Sequence, residues 1–210
     1  MIQVLLADDH AIVRSGLKQL LMLSEDISVT AEATHGAQVM ELLRAGAFDL
    51  ILLDMAMPGI SGIDLIARIR IHDPKLPILV LSMSNEVQVV RRTLRAGANG
   101  YLTKDSEPEV LLTAIRKIAA GNRFIDPLLV EEMVFEPDAP NARPAHEQLS
   151  NREFHILSLL VRGKTVNDIA LELAISNKTV STHKARLMQK MNFRSNAELV
   201  RYGITHGLVE

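Results

Sequence analysis

Three aspartates, a serine and a lysine stand just behind, or at the last position of, short apolar runs in the first half of the chain. Asp8 and Asp9 follow Val4-Leu5-Leu6-Ala7, and Asp54 follows Leu50-Ile51-Leu52-Leu53. Ser82 follows Ile78 to Leu81, and Lys104 follows Gly100 to Thr103. Carboxylates brought to one place repel unless a cation stands among them. A hard divalent ion such as Mg²⁺ takes oxygen ligands and commonly uses one or two carboxylates together with substrate phosphate. A lysine and a hydroxyl at the same edge would add donors for phosphate oxygens. Phosphoryl chemistry is the natural inference. Singly, each residue has a plainer role: Asp9 as a cap for a helix at His10, Asp54 as a turn cap, Ser82 satisfying a strand end, Lys104 solvated in a loop. Their common position at strand ends favours a shared site.

The elements that would gather them follow from the hydrophobic pattern. Strands are expected at Val4–Ala7, Ser28–Ala33, Leu50–Leu53, Ile78–Leu81 and Gly100–Thr103, each followed by a segment of helical spacing. Runs apolar throughout, such as Leu50 to Leu53, suit strands covered on both faces of a parallel sheet, whose ligands bind beyond the strands' carboxyl ends. The fifth helix should open on a capping box, Ser106 with Glu109, and close at Gly121. Residues 1–121 are thus expected to form one domain, α/β with a doubly wound five-stranded parallel sheet. Residues 122–148 are expected to be a linker carrying a short helix from Asp126 to Met133, with the proline-rich Glu136 to Pro144 at its centre. Residues 149–210 then read as a small all-α four-helix domain: Ser150 to Arg162, Thr165 to Leu173, Ser176 to Met191 and Ser195 to His206. Capping boxes are expected at Ser150 with Glu153 and at Ser195 with Glu198.

Composition narrows the chemistry. A chain of 210 residues, 48% hydrophobic and 23% charged, suits two globular domains. Cysteine is absent, so disulfides, thiolate metal sites and thiol nucleophiles are excluded. No apolar run reaches the roughly 18 residues of a membrane span, so no membrane association and a cytoplasmic location are expected. The net charge of −2 conceals a gradient. Residues 1–121 carry 12 basic and 14 acidic side chains, residues 122–148 carry 2 and 6, and residues 149–210 carry 9 and 5. Positive charge collects at the carboxyl end, where a polyanion could be met.

Within that end, Val166, Ile169, Ala170 and Leu173 share one helix face, and Ala174-Ile175-Ser176 turns the chain into a second helix, as in a helix-turn-helix. Val180, Leu187, Met188 and Met191 should face inward. Lys178, Thr179, Ser181, Thr182, Lys184, Ala185, Arg186 and Lys190 are left as candidate contacts to double-stranded DNA. An α-helix fits the major groove, where such side chains reach phosphates and base edges. Lys178, Thr179 and Lys190 suit phosphates; Ser181, Thr182 and Ala185 lie where base edges would be.

Two resemblances sharpen these expectations. Leu5-Leu6-Ala7-Asp8-Asp9-His10, Leu53-Asp54-Met55-Ala56-Met57-Pro58-Gly59, Ser82 and Tyr101-Leu102-Thr103-Lys104 resemble the flavodoxin-like receiver domain of two-component response regulators. Leu149 to Glu153, Gly163 to Ala170 and Ile175 to His183 resemble the LuxR-type output domain, and the pair is similar to NarL/FixJ-type regulators. The resemblance implies that Asp54 accepts a phosphoryl group from a cognate sensor histidine kinase. It implies a Mg²⁺ site made by Asp8, Asp9, Asp54 and the backbone carbonyl of Ala56. Lys104 would pair with the phosphoaspartate, and Ser82 and Tyr101 would act as a hydroxyl-and-aromatic switch. The receiver would assist its own phosphotransfer and dephosphorylation without being an enzyme in the ordinary sense, and the chain would bind DNA as a homodimer. Ser181 departs from the pattern, since many relatives carry lysine there, so base preference does not transfer.

Two other functions compete. A phosphatase or phosphotransferase could use an aspartyl nucleophile, but Ala56 stands where haloacid-dehalogenase-like enzymes carry a second aspartate for acid-base work, so fast turnover is not expected. DNA binding could also be independent of phosphorylation, which equal operator affinity in both states would reveal.

Overall fold

The computed structural model describes residues 1–135, 145–206 and 208; the proline-rich stretch from Glu136 to Pro144 lies outside them. The chain divides into two compact units, Met1–Glu136 and Pro137–Glu210. Among the described residues no helix is long and apolar enough to cross a membrane.

The first unit alternates strands and helices: β1 (Ile2–Ala7), α1 (Ala11–Met22), β2 (Ile27–Ala33), α2 (Gly36–Ala45), β3 (Leu50–Asp54), α3 (Gly62–His72), β4 (Ile78–Ser82), α4 (Val87–Arg95), β5 (Gly100–Thr103) and α5 (Pro108–Ala119). β6 (Phe124–Ile125) and α6 (Pro127–Phe135) follow. The strands form one parallel sheet in the order β2-β1-β3-β4-β5-β6. The alternation of side chains along each strand explains the unbroken apolar runs. Leu5, Ala7, Ile51, Leu53, Ile78, Val80 and Tyr101 pack with residues of α2, α3, α4 and α6 on one face. Val4, Leu6, Leu50, Leu52, Leu79, Leu81 and Leu102 pack with α1 and α5 on the other.

Sequence pattern anticipated five strands; the sixth is a two-residue extension pairing Gly100 with Phe124 and Tyr101 with Ile125. It requires glycine at residue 100, because a Cβ there would stand 2.5 Å from the Phe124 carbonyl oxygen. The first unit therefore continues past residue 121. α6 follows β6 and inserts Leu129 into the core beside α4, and the Arg91 guanidinium donates to the Met133 carbonyl.

The expected cap of α5 does not form. Ser106 gives its hydroxyl to the buried Asp126 carboxylate, 2.6 Å away, and the helix starts after Glu107 with no side-chain cap. Asp126 also accepts from Thr103 Oγ1 at 3.2 Å and from the Leu128 backbone N–H at 3.1 Å, tying the β5 end to the start of α6. Gly121 does follow the helix, with φ +84°.

The second unit comprises a 3-10 turn (Ala145–Gln148), α7 (Asn151–Val161), α8 (Val166–Glu172), α9 (Asn177–Lys190) and α10 (Asn196–Thr205). Local chemistry marks its helix starts. Ser150 and Glu153 form the expected reciprocal box, and Thr165 with Asp168 forms another. At α10 only half the expected box is made: Ser195 accepts from the Glu198 N–H, while the Glu198 carboxylate takes the N–H of Arg194. Phe154, Ile156, Leu157, Ile169, Val180, Leu187 and Leu199 are buried between these helices.

Candidate functional site

Parallel pairing sets Ala7 beside Leu53, Asp54 beside Leu81, and Ser82 beside Thr103, so the strand ends carrying the predicted residues form one edge. There the Lys104 ammonium lies between two buried carboxylates, 2.8 Å from Asp8 Oδ2 and 3.2 Å from Asp54 Oδ1. The Lys104 backbone N–H donates to the Ser82 carbonyl at 2.8 Å, which fixes the base of that side chain. Asp8 is held further by the His10 N–H on Oδ1 at 2.8 Å and by Arg14, whose guanidinium donates to the Asp8 carbonyl at 2.9 Å. Asp9 is more open, with 29% of its side chain exposed, and its Oδ1 lies 2.9 Å from His10 Nδ1.

Asp54 is 3% exposed and its Oδ2 is buried with no hydrogen-bond partner among the described residues. Burial pushes the Asp54 carboxyl above its ordinary value; Lys104 pulls it down and the neighbouring Asp8 charge raises it further. Burial opposes the Lys104 ammonium, but the carboxylates of Asp8 and Asp54 prevail and hold it above its usual value. An orphaned oxygen beside two further acids is the environment a divalent cation or an incoming phosphoryl group would relieve. The residues present therefore fit a Mg²⁺ ion.

The hydroxyl and aromatic pair is joined through a residue that sequence reasoning missed. The Ser84 N–H donates to Ser82 Oγ at 3.1 Å, and Tyr101 donates its hydroxyl to the Ser84 carbonyl at 2.7 Å. Tyr101 is wholly buried, and burial pushes its phenol up to about 12. Nothing in the local sequence distinguishes Ser84, which acquires its place from the loop between β4 and α4. Ala56 lies exposed two residues beyond Asp54. His10 joins Asp8, Asp9 and Asp54 in a single cluster.

The second candidate surface is α9. Its inner side carries the expected Val180 and Leu187, with Met191 buried just past its end. Lys178, Thr179, Ser181, Thr182, Ala185, Arg186 and Lys190 are exposed, and Lys184 is half-buried. The turn into this helix places Ala174 at φ 49°, a left-handed conformation that costs a non-glycine residue about 1 kcal/mol. Ser176 then caps α9 by accepting the Thr179 N–H, and Asn177 donates to Asn167 Oδ1 at 2.7 Å, locking α9 to α8.

Three of the expected contact residues have other partners. Lys190 gives its ammonium to the buried Glu153 carboxylate at 2.6 Å. Thr179 shares a hydroxyl hydrogen bond with Ser176, and Thr182 donates to the Lys178 carbonyl. Burial pushes the Glu153 carboxyl up, but hydrogen bonds from Lys190 and Ser150 outweigh it and hold the group below its ordinary value. Lys190 is thus a structural cation as well as an exposed one.

Comparison with known proteins covers both units. Residues 4–116 match the response regulator receiver domain, and residues 147–203 match the bacterial regulatory proteins of the luxR family. The response regulator UvrY of Escherichia coli O6:H1 is 34% identical over 209 residues, 99% of this chain and 96% of that protein. A structure of two RcsB dimers bound to two parallel DNAs aligns with TM-score 0.62 at 28% identity over 96% of each chain. RcsB from Salmonella enterica serovar Typhimurium, bound to the promoter P1flhDC in the presence of the phosphomimetic BeF3⁻, aligns with TM-score 0.62 at 29% identity, covering 96% of this chain and 97% of that one.

Proposed function

Because the chain belongs to the two-component response regulators that join a receiver to a LuxR-type DNA-binding domain, we propose that Asp54 is its phosphoacceptor and that α9 reads DNA under the control of that modification. The observation that carries the proposal is the buried Asp54 carboxylate, orphaned at Oδ2 and held at Oδ1 by Lys104. In this reading an Asp54 oxygen attacks the phosphorus of a phosphohistidine on a partner kinase, the P–N bond breaks, and an acyl phosphate is left on Asp54. Asp8, Asp9, Asp54 and the Ala56 carbonyl would hold Mg²⁺, which when bound supplies charge neutralisation for the phosphoryl oxygens.

Lys104 holds the acids in place beforehand and pairs with the added charge afterwards. Ser82 offers its hydroxyl proton to a new phosphoryl oxygen while its Oγ goes on accepting from the Ser84 N–H, which orients it. Tyr101 is bonded to that same Ser84 and is neighboured by β6, so it stands between the pocket and α6. The pocket would also assist water in removing the phosphoryl group, without turnover of outside substrates. The connection between the domains then runs through the residues between α6 and α7.

The output surface comprises Lys178 and Arg186 with Ser181, Thr182, Lys184 and Ala185. Thr179 and Lys190 would contribute phosphate contacts only in addition to the bonds they already make. The RcsB dimers on DNA support a homodimer as the binding form. Binding to DNA would place the protein's work in the cytoplasm.

The test is labelling with acetyl phosphate and Mg²⁺. Wild-type protein should gain one acid-labile phosphate and Asp54→Ala none; equal labelling of both would remove Asp54 from its assigned role. DNA affinity measured with and without phosphorylation then separates a controlled regulator from one that binds regardless.

A further inference from the structure

The acidic pocket contains a nitrogen donor. One ligand atom from each of Asp8, Asp9, His10 and Asp54 lies within 4.8 Å of the other three. His10 Nδ1 is 2.9 Å from Asp9 Oδ1 and 3.5 Å from Asp8 Oδ1. Metal bonds of about 2.1 Å put neighbouring ligands of an octahedral ion about 3.0 Å apart and opposite ligands about 4.2 Å apart. The His10 distances therefore sit near the spacing of adjacent ligands on one ion.

A second observation points the same way. The orphaned Oδ2 belongs to Asp54, 3% exposed and a member of this cluster, so a buried acceptor already awaits a cation there. His10 is positioned by the backbone: it precedes α1 and its N–H is anchored on Asp8 Oδ1. Its side chain remains 63% exposed, which leaves the imidazole free to turn its lone pair toward an entering ion.

Mg²⁺ gains little from an imidazole, whereas the later first-row divalent ions bind nitrogen and carboxylate oxygen together. We infer that His10 is a metal ligand that shifts the pocket's preference from Mg²⁺ toward a first-row transition-metal dication. The inference rests on the pocket being a divalent-cation site. The plainer alternative is that the ring N–H merely donates to Asp9, and His10→Asn separates the two: an amide can still donate that hydrogen bond but replaces imidazole poorly as a ligand.

The experiment is calorimetric titration of the full chain with Mg²⁺ and, separately, Co²⁺, whose visible absorption and paramagnetic shifts of imidazole protons report nitrogen ligation. Wild type, His10→Asn, His10→Ala and Asp9→Ala are compared. Both His10 variants should weaken Co²⁺ about tenfold or more, remove the shifted imidazole signals, and change Mg²⁺ affinity by less than about twofold. Equal weakening of both ions, or an unchanged Co²⁺ to Mg²⁺ ratio, would overturn the role of His10 while leaving the cation site standing. If Asp9→Ala leaves both ions bound as in wild type, the pocket is not the cation site and both readings fall.

Discussion

In the first unit charges converge: Asp8 and Asp54 approach one ammonium from either side, Asp9 lies near, and two buried oxygens, Asp9 Oδ1 and Asp54 Oδ2, have no hydrogen-bond partner among the described residues. In the second unit they diverge: Lys178 and Arg186 stand exposed on α9, and the buried Glu153 is served by Lys190 and by the Ser150 N–H. The pocket thus keeps an unbalanced negative charge that opposes folding but suits a cation and a phosphoryl group. The helix face keeps its ligand-facing charges in water and spends its buried ones on orientation. Removing a buried acid from the two regions should consequently have opposite effects on stability.

The largest effect is expected for Lys104→Met, which leaves Asp8 and Asp54 facing each other without the ammonium. Phosphorylation by acetyl phosphate should slow about 10²-fold to 10³-fold, and the first unit should lose about 3 kcal/mol at pH 7. Hydrogen exchange resolved to each unit checks this; equal loss of protection in both units would break the contrast.

Glu153→Gln should cost about 1–2 kcal/mol, confined to the second unit. The wild-type carboxyl lies below its ordinary value of 4.5 when folded, so its stabilising contribution is present above that value and is lost as pH falls through the lower folded one. Thermal melts of the second unit across that acid range should therefore flatten in the variant.

Asp54→Asn should act with the opposite sign, raising stability at pH 7 by about 1 kcal/mol, or about 2–4 °C in Tm. The folded carboxyl is raised above 3.8, so its favourable contribution is complete below the unfolded pKa and is lost as pH rises through the folded value. The gain from the variant should accordingly shrink in acid, and a loss of stability at pH 7 would contradict the unbalanced pocket.

Lys178→Ala should have the smallest effect on folding, within about 0.5 kcal/mol. Its signature is a fall in the salt dependence of DNA affinity by about one unit of slope, uniform across sequences. An unchanged slope would remove Lys178 from the phosphate contacts.

Much of this was legible locally. The apolar runs before Asp8, Asp54, Ser82 and Lys104 encode strands covered on two faces, and they place those residues at one edge as soon as the strands are parallel. The box of Ser150 and Glu153 needs only its own four residues and forms as read. Where a long-range partner competes, the local motif fails: Ser106 leaves the expected cap because Asp126, twenty residues on, offers its hydroxyl a buried carboxylate. Lys190 is claimed in the same way by Glu153, 37 residues before it. β6 escapes pattern reading because two half-buried residues have no periodicity to display.

Periodicity, capping chemistry and residue type by themselves determine the β-α alternation of the first unit, the helical character of the second, and the presence of acids, hydroxyl and lysine at strand ends. Only the tertiary structure decides that β3 lies between β1 and β4, that Lys104 meets both Asp8 and Asp54, that Ser84 joins Ser82 to Tyr101, and that His10 enters the acidic cluster. The reason is physical: burial and capping act over a few residues and leave a trace in sequence. Pairing of Lys104 with Asp54, 50 residues before it, and with Asp8, 96 residues before it, depends on where crossovers set the strands, and no local pattern records that.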